Sequence, residues 1–468
     1  MNKGAMIAII VVIILVVAGL GVYFAKYYKA PTTTTQSEIV IGMPYASSGS
    51  FAYSSLAVKS GFSMWVNQTN AKGGLYLSSL GKTLPIKMVY LDDQSSTTQV
   101  ATDYTDLITQ DHVNILLSDF GSTLVAPGIP IAQNHKIVLF DTTGSTPTFF
   151  TSSNPYMVDL GIQSSSIWPT PLANFVVSEH SNFSKVAILY TDQDFTSAQA
   201  QTVDSILTAH GITPVYYQST SDSSTSEYLT TLAAINATHP AAVLEFGYNT
   251  NDIAFFDAMS AGHYHFNMTF AIYPGLEYSD ILDSTPAGVL NYTYTYAAPP
   301  FATYSNVTLG PTTSQFVSEW EANYSTTPNL NNIAGYNSGQ LIGAIITKAG
   351  NLNQLDLRSA ANATSGAMTL EGPFILNKST GAQVGEPMNL MQFQPVNGVL
   401  KDVVVYPTAV ATGSPIYPAP DISFSVNNAV NLNYNTQQEK LTQVPMKFYF
   451  LDLQAPSNSL KTYFNSLL

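Results

Sequence analysis

Apolar positions in this chain fall into short unbroken runs separated by longer stretches in which they recur every three or four residues. The first run, Ile39-Val40-Ile41-Gly42-Met43, has the continuous apolar character of a strand buried on both faces of a parallel sheet. A turn follows at Ser47-Ser48-Gly49-Ser50. Over 54–70, Leu56, Phe62, Met64, Trp65 and Val66 fall largely on one helical face, and Ala71-Lys72-Gly73-Gly74 supplies a stop. The run 86–91 re-enters the sheet and ends on Asp92-Asp93. That order makes one right-handed βαβ unit.

The alternation continues with a helix over 98–111, a strand over 113–117, a helix over 122–134 and a strand over 137–141. A second set follows: helix 171–180, strand 186–190, helix 196–210, strand 213–217, helix 228–237, strand 241–246, helix 252–261 and strand 269–273. Two tandem α/β lobes, each a doubly wound parallel sheet, are predicted. A strand over 289–298 can leave the second lobe, and helices over 315–324 and 336–349 can return to the first. The chain therefore crosses more than once.

An uncharged Ala/Ile/Val/Leu run over 5–25, bracketed by Lys3 and by Lys26 and Lys29, has about the 20 residues that a membrane-spanning helix needs. The expectation is an N-terminal transmembrane anchor (1–30), a Thr-rich stalk (31–37) and a body outside the cell. A cleaved secretory signal is the alternative. Lys3-Gly4-Ala5 also resembles archaeal prepilin-like signals, which keep their apolar helix. Sequons such as Asn67-Gln68-Thr69 and Asn182-Phe183-Ser184 fit an exported glycoprotein.

Composition narrows the chemistry. The 468 residues are 45% hydrophobic but only 10% charged, with net charge −14, which argues against nucleic acid as a partner. Cysteine is absent, which excludes disulfides, thiolate nucleophiles and thiolate-bound zinc. Sparse charge without cysteine suits an acidic external medium. No G-x-S-x-G elbow, H-E-x-x-H helix or phosphate loop occurs, and His263-Tyr264-His265 lacks an evident third ligand. Catalysis, a metal and a cofactor are not expected. In open parallel sheets, ligands sit beyond the carboxyl ends of strands, where helix N-termini present free N–H groups. Phe120-Gly121-Ser122-Thr123 occupies such a place, with Ser122 either a ligand contact or a helix cap. Tyr53, Phe195 and Tyr248 are candidate aromatic walls, and Asp92-Asp93 are expected to order their loop.

From about 39 to 406 the residues resemble the branched-chain amino acid (leucine/isoleucine/valine) binding proteins of ABC transporters, with their type I periplasmic-binding, Venus-flytrap fold. The likeness rests on Ser48-Gly49, Asn70-Ala71-Lys72-Gly73-Gly74, Tyr90-Leu91-Asp92-Asp93, Ser122 with Pro127, and Asp141-Thr142-Thr143-Gly144-Ser145. Tyr190 to Phe195, Gly335-Tyr336, Gly372-Pro373-Phe374 and Thr380-Gly381 add to it. It implies lobes of 38–162 with 299–371 and of 163–298 with 372–406, joined at hinges near 160–163, 296–298 and 372. The C-terminal stretch 407–468 is an extension without an assigned role.

The resemblance also implies roles. Ser122 and Ser145 align with family residues that hold a ligand carboxylate, and Thr143 with one whose carbonyl helps hold an amino group. Phe195 aligns with a tyrosine lining the cleft, and Ser54 falls where the family often has a tyrosine. The family's acidic amino-group contacts are replaced by Gln163 and Gly275; Glu277, two residues on, either substitutes or is a solvated loop charge. The implied function is capture of a small polar ligand, such as a branched-chain amino acid, amide or short carboxylate, for delivery to an ABC permease. A ligand-sensing ectodomain acting through a partner and an extracellular hydrolase are the alternatives.

Overall fold

The computed structural model describes residues 36–420 apart from His180, Asp222, Ser305 and Pro387. The first sheet is built from β1 (Ile39–Tyr45), β4 (Ile86–Asp92), β5 (Ile115–Leu117), β6 (Leu139–Asp141) and β7 (Met157–Asp159), reached through a hairpin of β2 (Leu75–Leu77) and β3 (Lys82–Leu84). Its order is β4-β1-β5-β6-β7, every pair parallel, with Ile41 opposite Met88 and Ile115. Ile39, Ile41 and Met43 are fully buried, as a strand covered on both faces requires.

The second sheet holds β8 (Val186–Thr191), β9 (Tyr216–Thr220), β10 (Ala242–Phe246), β11 (Met268–Phe270) and β12 (Tyr294–Ala297) in parallel. After a small hairpin of β13 (Ala367–Thr369) and β14 (Gly372–Phe374), the strands β15 (Asn389–Val396) and β16 (Val399–Tyr406) add an antiparallel edge. The order is β16-β15-β12-β11-β10-β8-β9. The pattern of apolar runs did not reveal this edge, although Asn397-Gly398 marks its turn: both residues have positive φ, the geometry of a two-residue hairpin.

Twelve α-helices wind around these sheets: α1 (Ala52–Ala71), α2 (Thr97–Thr109), α3 (Gly121–Val125), α4 (Gly128–His135), α5 (Thr170–Ser178), α6 (Asp194–Ala209), α7 (Thr225–Ala237), α8 (Asn249–Ala261), α9 (Tyr278–Ser284), α10 (Thr313–Tyr324), α11 (Leu330–Ala349) and α12 (Gln354–Thr364), counted among the described residues. The single helix expected over 122–134 is two, because Pro127 lacks the N–H that would carry the first into the second. Helices α1 and α11 touch backbone to backbone. A Cβ on Gly61 would stand 1.9 Å from the Asn332 carbonyl oxygen, and one on Gly335 2.0 Å from that of Val58, so both positions need glycine.

Chain crossings follow from this order. After β7 the chain enters the second lobe at 160–163, and after β12 it returns to the first through α10, α11 and α12. The last passage falls between Gln383, whose N–H still donates to Asp159 Oδ2 (3.0 Å), and Asn389, which opens β15. That is later than the point expected near Gly372. Of the C-terminal stretch, 407–420 packs on the second lobe: Ile416 N–H donates to Gln392 Oε1 (2.8 Å), and the Tyr417 ring meets Phe183 at 4.6 Å.

The membrane expectation is corrected. Among the described residues no helix is long and apolar enough to cross a membrane, and the run 5–25 on which the anchor was placed lies outside them, as does the stalk over 31–35. The transmembrane part of the fold, the membrane as a partner and the tethered location are therefore withdrawn.

Candidate functional site

The carboxyl ends of β5 and β6 and the loops after them form one wall of a cavity between the lobes. Phe120, Gly121, Ser122 and Thr143 line it from the first lobe, with Leu330 and Asn331 from the start of α11. Trp168, Phe195, Tyr248, Tyr273 and Leu276 close it from the second lobe, and Ile162 lies at the crossing. The atom-free space measures about 320 Å³, part of it open to solvent.

Hydrogen bonds fix the first wall before any ligand arrives. Thr143 Oγ1 accepts from Gly121 N–H at 2.9 Å, and Ser122 Oγ accepts from the N–H groups of Ser145 (3.1 Å) and Thr146 (3.2 Å). Beneath them Asp141 Oδ1 accepts from Ser118 Oγ (2.9 Å) and Gly144 N–H (2.9 Å). Burial pushes that carboxyl up to about 7 against these bonds. Ser122 therefore clamps the neighbouring loop while facing the cavity.

Rings make the opposite wall. Phe195 lies 5.3 Å from Trp168, nearly perpendicular, and 5.3 Å from Tyr248; Tyr248 also meets Phe51 at 5.1 Å and Tyr273 at 6.1 Å. The Tyr248 hydroxyl is buried and aimed at the backbone of Ser122 and Thr123, yet it completes no well-formed hydrogen bond. Burial pushes its pKa up to about 12. Tyr248 also borders a second, more polar hollow of about 690 Å³ with Asp192, Gln193 and Thr250, so its ring divides the two spaces.

Of the residues singled out in the sequence, Ser122, Thr143, Phe195 and Tyr248 line the cavity together. Thr123 points elsewhere: its Oγ1 donates to Gln193 Oε1 at 2.9 Å, bridging the lobes. Ser145 is buried behind Ser122, with its hydroxyl unpartnered. Gln163 is spent at the crossing, where Nε2 donates to the Val384 carbonyl (3.0 Å) and its own carbonyl accepts from Trp168 Nε1 (2.6 Å). Gly275 N–H donates to Thr295 Oγ1 at 2.9 Å, and a Cβ there would stand 2.0 Å from the Tyr296 carbonyl oxygen. Tyr53 is 42% exposed and lies off the cavity, while Ser54 Oγ donates to Glu277 Oε1 at 2.5 Å.

Glu277 is not a solvated charge. It is fully buried directly behind the wall, where Asn331 and Asn249 also donate to it, and burial pushes its pKa up to about 8. Asp92 and Asp93 do order their loop, through Ser47 N–H (2.9 Å) and Ser95 N–H (2.9 Å). Sequence reading missed Trp168, Tyr273 and Leu276 of the second lobe and Leu330 and Asn331 of the first, two sets that face each other across the cavity.

Comparison with known proteins places this geometry. A family model described as "Periplasmic binding protein" matches residues 38–398, and the chain belongs to that family. Membership of this non-catalytic, solute-binding family makes it a binding protein and not an enzyme. The fold matches a leucine-binding protein LivK from Thermotoga maritima (TM-score 0.66, 15% identity, 78% of this chain and 97% of that one). It also matches the branched-chain amino acid binding protein LivJ from Streptococcus pneumoniae in complex with isoleucine (0.65, 20%, 79% and 100%). A solute-binding protein of R. palustris in complex with benzoate is similar too (0.66, 16%, 83% and 100%). Archaeal origin and glycosylation gain no support from these relatives and are set aside.

Proposed function

We propose that this protein is the solute receptor of an ABC transporter, which traps a small molecule between its lobes and hands it to a permease. The favoured ligand has a branched or aromatic apolar body and one carboxylate or amide head. One observation carries this preference: five aromatic rings and three aliphatic side chains line the cavity, and no lining residue is an acid or a base. A buried ammonium without a carboxylate partner is costly, and the carboxyl behind the wall at Leu276 and Asn331, Glu277, is already held by Ser54, Asn249 and Asn331. A head group has hydroxyls and helix-start amides to meet at Ser122 and Thr143. Relatives of this fold hold leucine-type ligands and benzoate, a range the apolar walls can accept.

A thermal-shift screen with amino acids, their amides and short or aromatic acids tests the reading, because a ligand bound only by the native form raises the melting temperature. Shifts are expected with branched or aromatic acids. A screen in which none of the three classes shifts the transition sinks it.

A further inference from the structure

We propose that Glu277 couples closing of the two lobes to uptake of one proton, so that ligand capture is favoured in acidic surroundings and relaxes as the pH rises. This rests on the reading above that the lobes close over a ligand. Glu277 sits between the Tyr273–Gly275 turn and α9, in the second lobe. Its Oε1 accepts from Ser54 Oγ of α1 (2.5 Å) and from Asn331 Nδ2 of α11, both in the first lobe. Its Oε2 accepts from Asn249 Nδ2 of α8 (2.5 Å), which also donates to Asp280 (2.9 Å). Beside it Leu330 N–H donates to the Leu276 carbonyl at 3.0 Å. The carboxyl is thus a latch whose partners are divided between the lobes.

No positive charge answers it. Among the described residues the titratable groups that act on it are Tyr53 from α1 and Tyr273 and Asp280 from its own stretch, all acids. The one ion pair among the described residues, Lys87 with Glu38, lies elsewhere. A carboxylate sealed among such neighbours is disfavoured against the neutral acid, and its pKa rises from 4.5 to about 8 through burial first. The neutral acid fits the cage: it donates to Ser54 Oγ, whose hydroxyl turns, while both amides go on donating. Opening removes Ser54 and Asn331 and admits water, returning the group towards 4.5. The closed form therefore holds the extra proton. Closing is strongest below about 4.5, weakens by up to tenfold per pH unit towards about 8 and is flat above it.

The experiment compares the full chain with Glu277→Gln between pH 4 and 9. It reads the radius of gyration by small-angle scattering and the affinity for benzoate and L-isoleucine by calorimetry. Asp141, Asp252 and Glu371 are pushed into the same pH range, so the difference between the two proteins decides. Relative to Glu277→Gln, wild type should expand and lose affinity by up to tenfold per unit from pH 5 to 8, while Glu277→Gln stays the more compact of the two at high pH. Identical profiles overturn the proposal, whether or not a probe binds. Binding of a probe with identical profiles leaves the receptor reading standing. Compaction that depends on Glu277 when neither probe binds upholds the latch and counts against those ligands. Should Glu277→Gln fail to fold, Asn249→Ala must move the pH midpoint upward, since an amide N–H donates more strongly to the ionised carboxyl than to the neutral one; an unmoved midpoint overturns the proposal.

Discussion

The two lobes share a β/α plan but differ in what they bring to the cleft: beside Phe120 and Leu330, the polar groups come from the first and most of the rings from the second. The first offers hydroxyls and backbone amides fixed at the carboxyl ends of β5 and β6, at Ser122 and Thr143; the second offers the rings of Trp168, Phe195, Tyr248 and Tyr273. Polar groups held by their own hydrogen bonds can receive a head group with little reorganisation. The rings serve as a cover whose gain comes from apolar area removed from water. The division of labour explains why one lobe must meet the other before the site exists.

The strongest break of this comparison is on the ring side. Phe195→Ala removes a buried ring that touches both Trp168 and Tyr248, and affinity measured by calorimetry should fall by about 2–4 kcal/mol. A loss below tenfold would show that the second lobe does not cover the ligand.

On the polar side, Ser122→Ala leaves the N–H groups of Ser145 and Thr146 without their acceptor. Affinity should fall by about 1–3 kcal/mol. An unchanged affinity accompanied by a lower melting temperature would reduce Ser122 to a loop clamp.

Both lobes also bury carboxyls beside other carboxyls. Asp119 lies against Asp93, and Glu245 against Asp252; Asp159 and Glu386 lie near Glu371. Asp119 is hydrogen-bonded to Asp93 and Glu245 to Asp252, contacts that require one acid of each pair to hold a proton. Burial pushes all of these groups up, Asp252 to about 7 and Glu371 to about 8. Because the folded values lie above the unfolded ones, the stability they supply is complete below pH ~4 and is lost as pH rises through 7 to 8. The melting temperature should be higher at pH 5 than at pH 8.5. The reverse order would contradict neutral buried acids.

The smallest effect is expected from Tyr248→Phe. Its hydroxyl completes no hydrogen bond in the closed cavity, so stability should change by less than about 1 kcal/mol. Affinity for a carboxylate should fall more than affinity for an ester of the same shape, if the hydroxyl meets the head group.

Much of the scaffold was legible because β1 and β8 carry unbroken apolar runs and α1 and α6 carry helical spacing. Ser122 was readable from its place after a strand, and Phe195 from the resemblance. Trp168, Leu276 and Asn331 were not, since their role comes from contacts across the cleft; the Leu330 to Leu276 bond joins residues that no local period connects. Glu277 looked like an open alternative because burial by the opposite lobe leaves no mark in its neighbours. The strand β7, three residues long, was too short to show a period.

The central claim, that a head group meets hydroxyls and amides while rings cover an apolar body without help from an ammonium, is tested most directly by titrating L-leucine and 4-methylpentanoate into the same protein at pH 5. The acid lacking the amino group should bind at least tenfold more tightly. Tighter binding of leucine would contradict the account and return Glu277 to the role of an ammonium partner.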